Sequence, residues 1–187
     1  MPWLRGQGRN EGAIARFHAV RAATDSGNPG QCKEAMMRVE ESLVIERSPD
    51  EVFAFFDDRA NDQRWLSSVT ESQWLDPQET TQVGRRGRSV MDVMGRRDFT
   101  DVVTKYVPGR LIEHRQVSGP IVMDTACLAE PHGTGCRVTL TYEPKRFPGG
   151  AVGWLAAPFA LKTVRRTYRG DLARLKEVLE AGPTAVS

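Results

Sequence analysis

The residues of this sequence best suited to chemistry are an imidazole, a carboxylate and a phenol on three predicted strands: His114, Asp124 and Tyr142. In an otherwise apolar cavity, such groups orient a ligand carbonyl or move a proton, because burial raises the pKa of a carboxylate into the working range of acid–base catalysis. They are therefore candidates both for ligand binding and for catalysis. Which role applies depends on the face of the sheet that each side chain occupies.

The turns between the strands predict which residues face each other. A turn centred on Gly133 pairs Asp124 with Tyr142, and a turn centred on Gly119 pairs His114 with Asp124. A turn at Pro108 and Gly109 pairs His114 with Val103, which adds one apolar residue to this row. The predicted row crosses four adjacent strands and consists of Val103, His114, Asp124 and Tyr142.

The neighbouring pairs in this register are apolar, Leu128 with Val138 and Ala126 with Leu140, which indicates that the row lies on the inner, concave face. Two other interpretations remain open. The polar groups can satisfy one another by hydrogen bonding without any ligand. Alternatively, a slip by one residue turns the row outward, because successive side chains of a strand point to opposite faces.

The elements that position this row follow from alternation and turn residues. A first strand is predicted at residues 39–47, and Ser48 with Pro49 and Glu51 then starts a helix as a capping box with proline in the first turn. A short second helix is predicted at 61–65. Six strands follow, at 68–75, 86–94, 97–107, 110–118, 121–130 and 136–145. Their short connections make the sheet antiparallel, and seven strands that curl must bury one face.

A long helix, predicted at residues 150–181, is the element available to fill that face. Its second half carries one apolar stripe at spacings of three and four on a charged surface, formed by Val164, Tyr168, Leu172, Leu175 and Leu179. Residues 151–161 carry no charge and are apolar on every side, so protein, a ligand or a membrane surface must cover them. Core packing is the simplest interpretation. The functional one is that Trp154, Leu155 and Phe159 line a ligand cavity.

Three stretches of the sequence resemble one known family: SPDEVF at 48–53 leading to NDQRW at 61–65, VTKYVPGRLI at 103–112, and GTGCRVTL at 133–140. Over residues 39–181 the chain resembles the polyketide cyclase/dehydrase branch of the START-like (SRPBCC) superfamily. The resemblance implies an α+β helix-grip fold, in which a curved seven-stranded antiparallel sheet surrounds a long C-terminal helix and two short helices lie between strands 1 and 2. It also implies a hydrophobic cavity between sheet and helix.

Because this superfamily includes plant allergens, lipid carriers, coenzyme Q chaperones and aromatic polyketide cyclases, the resemblance implies a fold more than a function. The function expected is that of a carrier enclosing a hydrophobic small molecule that is lipid, polyketide or quinone-like. One alternative is a polyketide cyclase or dehydratase that uses acid–base residues of the same cavity. Another is a protein-interaction domain with a filled core. The sequence has no nucleophile with a base at recognisable spacing and no Gly-rich phosphate loop, which favours the carrier.

The net charge, the length of the apolar runs and the cysteine spacing limit the partners that the sequence predicts. With 26 basic and 24 acidic residues the net charge is +2, which gives no argument for nucleic acid or an anionic membrane as partner. No apolar run reaches the roughly 20 residues of a membrane span. Cys32, Cys127 and Cys136 form no CxxC and no zinc-site spacing, which predicts reduced thiols, no metal and a cytoplasmic protein. No cofactor is expected, and the oligomeric state stays open.

The N-terminal residues differ from the rest. Residues 1–36 are rich in Gly and Arg and contain no apolar run long enough for a signal-peptide core. The predicted organisation is a loosely ordered extension at 1–36, one domain at 37–182 and a tail at 183–187. Met36 and Met37 directly precede the first strand, so an alternative interpretation is that translation starts there.

Overall fold

The computed structural model of the protein describes residues 38–77, 80–92, 95–119, 121–146 and 150–181, without the side chains of 146 and 150–158. The predicted extension at 1–36, the tail at 183–187 and Cys32 lie outside the described residues. So do the side chains of Trp154 and Leu155.

The chain alternates between a few short helices and a series of strands before it ends in one long helix. The elements are β1 (Val39–Ile45), α1 (Pro49–Asp57), a 3-10 turn (Arg59–Asn61), α2 (Asp62–Trp65), β2 (Val69–Trp74), β3 (Arg86–Asp92), β4 (Arg96–Val107), β5 (Leu111–Ser118), β6 (Val122–His132), β7 (Gly135–Arg146) and α3 (Gly150–Glu180). Within the described ranges, no helix has the length and hydrophobicity needed to cross a membrane.

The seven strands form one antiparallel sheet in the order β1-β7-β6-β5-β4-β3-β2, and it curls into a half-barrel. Consecutive strands pair as hairpins from β2 to β7, and β1 joins the far edge beside β7. The predicted α+β helix-grip architecture is therefore confirmed, with α1 and α2 between β1 and β2 and α3 at the C-terminus.

The start of α1 follows from its sequence. The Glu51 amide donates to Ser48 Oγ at 3.3 Å, and the Ser48 amide donates to Glu51 Oε2 at 3.0 Å, which completes the predicted capping box. Pro49 occupies the first turn, where the missing amide proton costs no hydrogen bond. The helix buries Val52 and Phe53 against the concave face of the sheet.

The second half of α3 packs into the same core. Leu172 and Leu175 are almost completely buried there. Asp171 accepts a hydrogen bond from the Ser67 amide at 2.9 Å, which ties α3 to the segment between α2 and β2. On the other side of α3, Lys176 Nζ donates to the Val44 carbonyl oxygen of β1 at 2.9 Å. The helix is thus held at both edges of the concave face.

The registers of the β5–β6 and β6–β7 hairpins differ by one residue from the sequence prediction. His114 on β5 faces Thr125 on β6, and Tyr142 on β7 faces the same Thr125. Asp124, predicted to face both His114 and Tyr142, instead faces Arg115 on the opposite side of the sheet. The predicted place of Asp124 in the concave row is therefore wrong. The pairing of Val103 with His114 is confirmed.

The cause of this error is the length of the turn. The β6–β7 hairpin closes with the pair His132–Gly135, so its loop has two residues and its centre falls between Gly133 and Thr134. A two-residue loop is the commonest hairpin connection, whereas the prediction centred the turn on one residue. The predicted apolar pairs shift as well, and the observed pairs on the concave face are Val138–Ala129 and Leu140–Cys127.

We predict that Leu172→Ala and Leu175→Ala each lower the free energy of unfolding by about 2 to 5 kcal/mol, because each leaves a cavity in the core. Urea denaturation measures the change. The exposed Glu177 on the same helix provides the control, since Glu177→Ala should change stability by less than about 0.5 kcal/mol. Equal effects at all three positions would contradict the assigned burial.

Candidate functional site

A cavity of about 160 Å³ lies between the concave face of the sheet, α2 and α3. Part of its lining is apolar and includes Phe56, Trp65, Leu66, Ile112 and Leu140. The rest is a polar wall, which contains Arg59, Asp62, Ser89, Asp101, His114 and Thr125. Small-molecule sites commonly combine an apolar lining with a few convergent polar groups in this way.

An ion pair between Arg59 and Asp101 forms the centre of the polar wall. Arg59 Nη2 donates to Asp101 Oδ2, and both residues are less than a tenth exposed. The second guanidinium nitrogen, Nη1, donates to Ser89 Oγ at 3.1 Å. Asp101 lies between two register shifts of β4, and such bulges re-aim side chains and often occur beside functional sites.

His114 shares the same carboxylate. Its Nδ1 lies 2.8 Å from Asp101 Oδ2. Burial by itself would raise the pKa of Asp101, but the hydrogen bond and charge of His114, together with Arg59, hold that pKa below its ordinary value. An ionised carboxylate only accepts, so Nδ1 must donate, and in the neutral ring Nε2 keeps its lone pair. This arrangement is the one that orients a histidine as a general base.

A second carboxylate in the wall is shifted in the opposite direction. Asp62 on α2 is buried, and burial raises its pKa to about 6 although Ser72 and Arg59 partly offset the effect. Ser72 Oγ donates to Asp62 Oδ2 at 2.6 Å. The wall therefore holds one carboxylate whose pKa is lowered, Asp101, and one whose pKa is raised to about 6, Asp62. Such divergent environments are how one site supplies both an acid and a base.

The path of Arg59 across the sheet depends on Gly87. A Cβ atom on Gly87 would lie 2.2 Å from Arg59 Cζ, so only glycine leaves room for the guanidinium. Trp74 on β2 covers the group, with its ring centroid 4.5 Å from Arg59 Cζ, a cation–π distance. The same indole stacks against His114 with the centroids 6.2 Å apart.

The comparisons with known proteins agree with this architecture. Residues 36–180 match the family described as polyketide cyclase / dehydrase and lipid transport. The chain belongs to this family. No curated protein matches the chain.

Among solved structures, the Zhui aromatase/cyclase from a Streptomyces species has a TM-score of 0.65 at 19% identity, over 80% of this chain and 97% of that one. A protein from Thermus thermophilus has a TM-score of 0.65 at 20% identity, over 78% and 99%. A START superfamily protein from Mycobacterium smegmatis has a TM-score of 0.60 at 12% identity, over 75% and 98%. At these identities the likeness concerns the fold.

For a member of the polyketide cyclase/dehydrase family, the position of each predicted site residue relative to the cavity matters. His114, Ala126 and Leu140 are among the residues that line it. Val103 is buried in the core beside His114. Tyr142 is outside the lining, but its ring packs edge-on against Tyr168, a lining residue, with the centroids 6.3 Å apart.

Two predicted site residues lie elsewhere. Asp124 forms ion pairs with Arg115 at 2.8 Å and with Lys145 at 3.4 Å on the face away from the cavity, so the predicted cavity position is wrong. The reason is the register of the two hairpins, which places Thr125 where Asp124 was expected. Phe159 is 77% exposed, so its predicted place in the cavity lining is also wrong.

Sequence reasoning missed Arg59, Asp62 and Asp101. For Asp101 a signal was present, since it precedes Val103 by two residues and strand alternation puts both on one face. For Arg59 and Asp62 no such signal exists, because a single helical turn has no periodicity from which to read a buried face.

The thiol in the cavity lining is poorly suited to act as a nucleophile. Cys127 lines the cavity, and burial raises the pKa of its thiol to about 12, so it is protonated at neutral pH and is a poor nucleophile. In the ranges that the structure describes, no group of three or more His, Cys, Asp or Glu side chains is arranged to hold a metal ion.

We predict that Asp62 adds a downward slope to the stability of the protein as pH rises from about 4 to 6, because folded Asp62, with its raised pKa, holds its proton where the unfolded chain has lost it. Asp62→Asn should remove this slope and increase stability at pH 7 by about 2 to 3 kcal/mol. Urea denaturation between pH 4 and 7 measures both. The exposed Asp92→Asn is the control, and parallel curves for wild type and Asp62→Asn would contradict the prediction.

We also predict that Gly87→Ala lowers the free energy of unfolding by about 3 to 5 kcal/mol, because the new methyl group displaces Arg59 and separates the buried guanidinium from Asp101. Gly170→Ala is the matched control. Its Cβ meets no atom within 4 Å, so alanine should be neutral or stabilise α3 by up to about 1 kcal/mol. A Gly87→Ala variant as stable as wild type would show that Arg59 does not need this path.

Proposed function

We propose that the protein is a carrier that binds a hydrophobic small molecule between the sheet and α3, and that Arg59, Asp101 and His114 hold the polar group of that molecule. The observation that carries this proposal is the convergence of these three side chains on the polar wall of a cavity whose remaining lining is largely apolar. Lipid, polyketide and quinone-like compounds all combine an apolar body with a polar group.

The free-energy cost of burying charged groups supports a binding role for the polar wall. Moving a charged group out of water costs several kcal/mol per ion, and apolar residues of similar volume often replace a buried ion pair without loss of stability. Packing alone therefore does not require Arg59 and Asp101.

Two further lining residues, Trp65 and Gln116, have buried polar atoms, Nε1 and Oε1, that bond to no group in the described residues. Orphaned buried groups of this kind are rare, and a polar ligand or water would complete them.

The size of the cavity limits what it can enclose. Its volume of about 160 Å³ lies below the range of about 300–1,000 Å³ that is usual for sites of drug-sized ligands. The described cavity therefore fits a small ligand or the polar end of a longer one. Lipid transport is part of the description of the matched family, which supports the longer ligand.

A cyclase or dehydratase activity is the second candidate, and the hydrogen bond from His114 Nδ1 to Asp101 favours it. In loss of water from a β-hydroxy carbonyl compound, His114 Nε2 would take the proton from the carbon next to the carbonyl. The electron pair of that C–H bond would form the double bond, and the hydroxyl group would leave as water with a proton from Asp62. Arg59 would stabilise the developing negative charge on the carbonyl oxygen. Zhui is named as an aromatase/cyclase, which supports this candidate.

His114→Gln separates the two candidates, because it removes the base but keeps a polar side chain. For a carrier, we predict a loss of affinity for a fluorescent fatty acid or a naphthoquinone of about 0.5 to 1.5 kcal/mol, the worth of one hydrogen bond. For an enzyme, we predict that conversion of a poly-β-ketone chain falls about a hundredfold or more while affinity is kept. Fluorescence titration and product analysis on the same samples measure both quantities.

Asp124→Asn is the matched control, since its carboxylate faces away from the cavity. It should alter neither affinity nor product formation. Wild-type protein that binds none of these probes, and from which native mass spectrometry detects no bound small molecule, would contradict the carrier. In that case the domain with a filled core, engaged with a partner protein, is the remaining candidate.

A further inference from the structure

The basic residues of this chain are not evenly distributed. Residues 144–170 contain no acidic residue and six basic ones, whereas the whole chain holds 26 basic and 24 acidic residues. Inside this segment, residues 147–161 carry no charge at all, and basic residues follow and precede them. The six are Lys145, Arg146, Lys162, Arg165, Arg166 and Arg169. An apolar stretch between basic residues is the pattern of segments that lie in the interface of an anionic membrane.

The described part of α3 presents this pattern to solvent. Phe159 is 77% exposed, and Lys162 and Arg166 are exposed three and seven residues later, which places the three on one face of the helix. The opposite face turns inward, where Leu161 and Val164 pack against the buried cluster that contains Tyr142. The outward orientation of Phe159 is therefore set by the packing of its neighbours.

A second element exposes apolar side chains at the same end of the domain. Val117 near the end of β5 is 56% exposed, and Val122 at the start of β6 is 41% exposed. Between them, Ile121 packs against the same buried cluster as Leu161, which brings the β5–β6 turn close to this part of α3. Of the five exposed large apolar residues in the described ranges, Val117, Val122 and Phe159 thus lie at one end.

The charges of this surface divide into two groups. Arg165 and Arg169 are engaged with Glu41 of β1, at 3.0 Å and 2.8 Å. Lys162 and Arg166 form no ion pair with any described residue. Two cations beside an exposed phenylalanine are therefore available to anionic groups outside the protein.

We propose that the outward face of α3 around Phe159 and the β5–β6 turn dock on the surface of an anionic lipid bilayer. Phe159, Val117 and Val122 enter the boundary between headgroups and acyl chains, and Lys162 and Arg166 contact lipid phosphates. Single exposed apolar residues are ordinary on protein surfaces, and it is their coincidence with an acid-free basic segment that indicates lipid. The docking surface does not depend on the function proposed for the cavity.

Co-sedimentation with vesicles tests this proposal. We expect wild-type protein to bind phosphatidylcholine vesicles containing about 30 mol % phosphatidylglycerol at least tenfold more strongly than pure phosphatidylcholine vesicles, at about 0.1 M salt. Phe159→Ser and the double variant Lys162→Glu/Arg166→Glu should each weaken binding about tenfold or more. Circular dichroism melting checks that each variant is folded.

Matched controls come from other parts of the surface. Val83→Ser changes an apolar residue that is 61% exposed between β2 and β3, and Arg174→Glu changes an exposed cation on the second half of α3. Both should bind like wild type. Failure of the wild type to prefer anionic vesicles would overturn the proposal, and so would an Arg174→Glu variant as weak as the double variant.

A second copy of the chain is the competing occupant. If light scattering shows that Phe159→Ser converts a dimer into a monomer, and neither protein binds vesicles, the surface is a contact between copies and the proposal is wrong. His114→Gln keeps the two proposals separate. It changes the cavity wall but not the docking surface, so its vesicle binding should equal that of the wild type.

Discussion

The buried ion pair between Arg59 and Asp101 is the interaction on which the site depends. It joins the turn between α1 and α2 to the middle of β4, across the concave face of the sheet. Removing one partner of such a pair leaves an uncompensated charge in the interior and costs about 3 to 5 kcal/mol. The short helices are therefore tied to the sheet by electrostatics as well as by the apolar packing of Phe53 and Phe56.

Several local features make sense only in relation to this pair. Gly87 leaves the space that the guanidinium occupies, and Trp74 covers it. Because ionised Asp101 accepts a hydrogen bond from Nδ1, the neutral histidine is held in the tautomer with Nε2 as the unprotonated ring nitrogen. Asp62, three residues after Arg59 in the chain, forms no ion pair with a described residue, and burial raises its pKa to about 6. One wall thus contains two carboxylates in different states, which suits either the binding of a polar group or proton transfer.

The two halves of the long helix α3 differ in sequence and in role. Its second half fills the sheet with Leu172 and Leu175 and is tied to β1 by charged groups. In its first half, residues 151–161 carry no charge, and Phe159 among them is nevertheless exposed to solvent. A helix that belonged wholly to the core would turn such residues inward.

The sequence by itself determined the features that depend on neighbours along the chain. The capping box at Ser48, the alternation of the strands and the stripe on α3 are local, so the order of elements, the fold and the family resemblance were all predicted from them. The pairing of His114 with Val103 also agreed with the structure, but only because the β-bulge between Val103 and Lys105 offsets a one-residue error in the predicted register of that hairpin.

Tertiary structure decided the rest of the site. Asp124 lies outside the cavity because a two-residue loop shifts the register by one, and a shift by one residue reverses the face of every side chain. Arg59 and Asp101 meet although 42 residues separate them, through a gap that only the folded sheet provides at Gly87. Whether Phe159 faces the cavity or solvent depends on how α3 rotates against the sheet. That rotation is set by the packing of side chains distant in sequence, which no local pattern records.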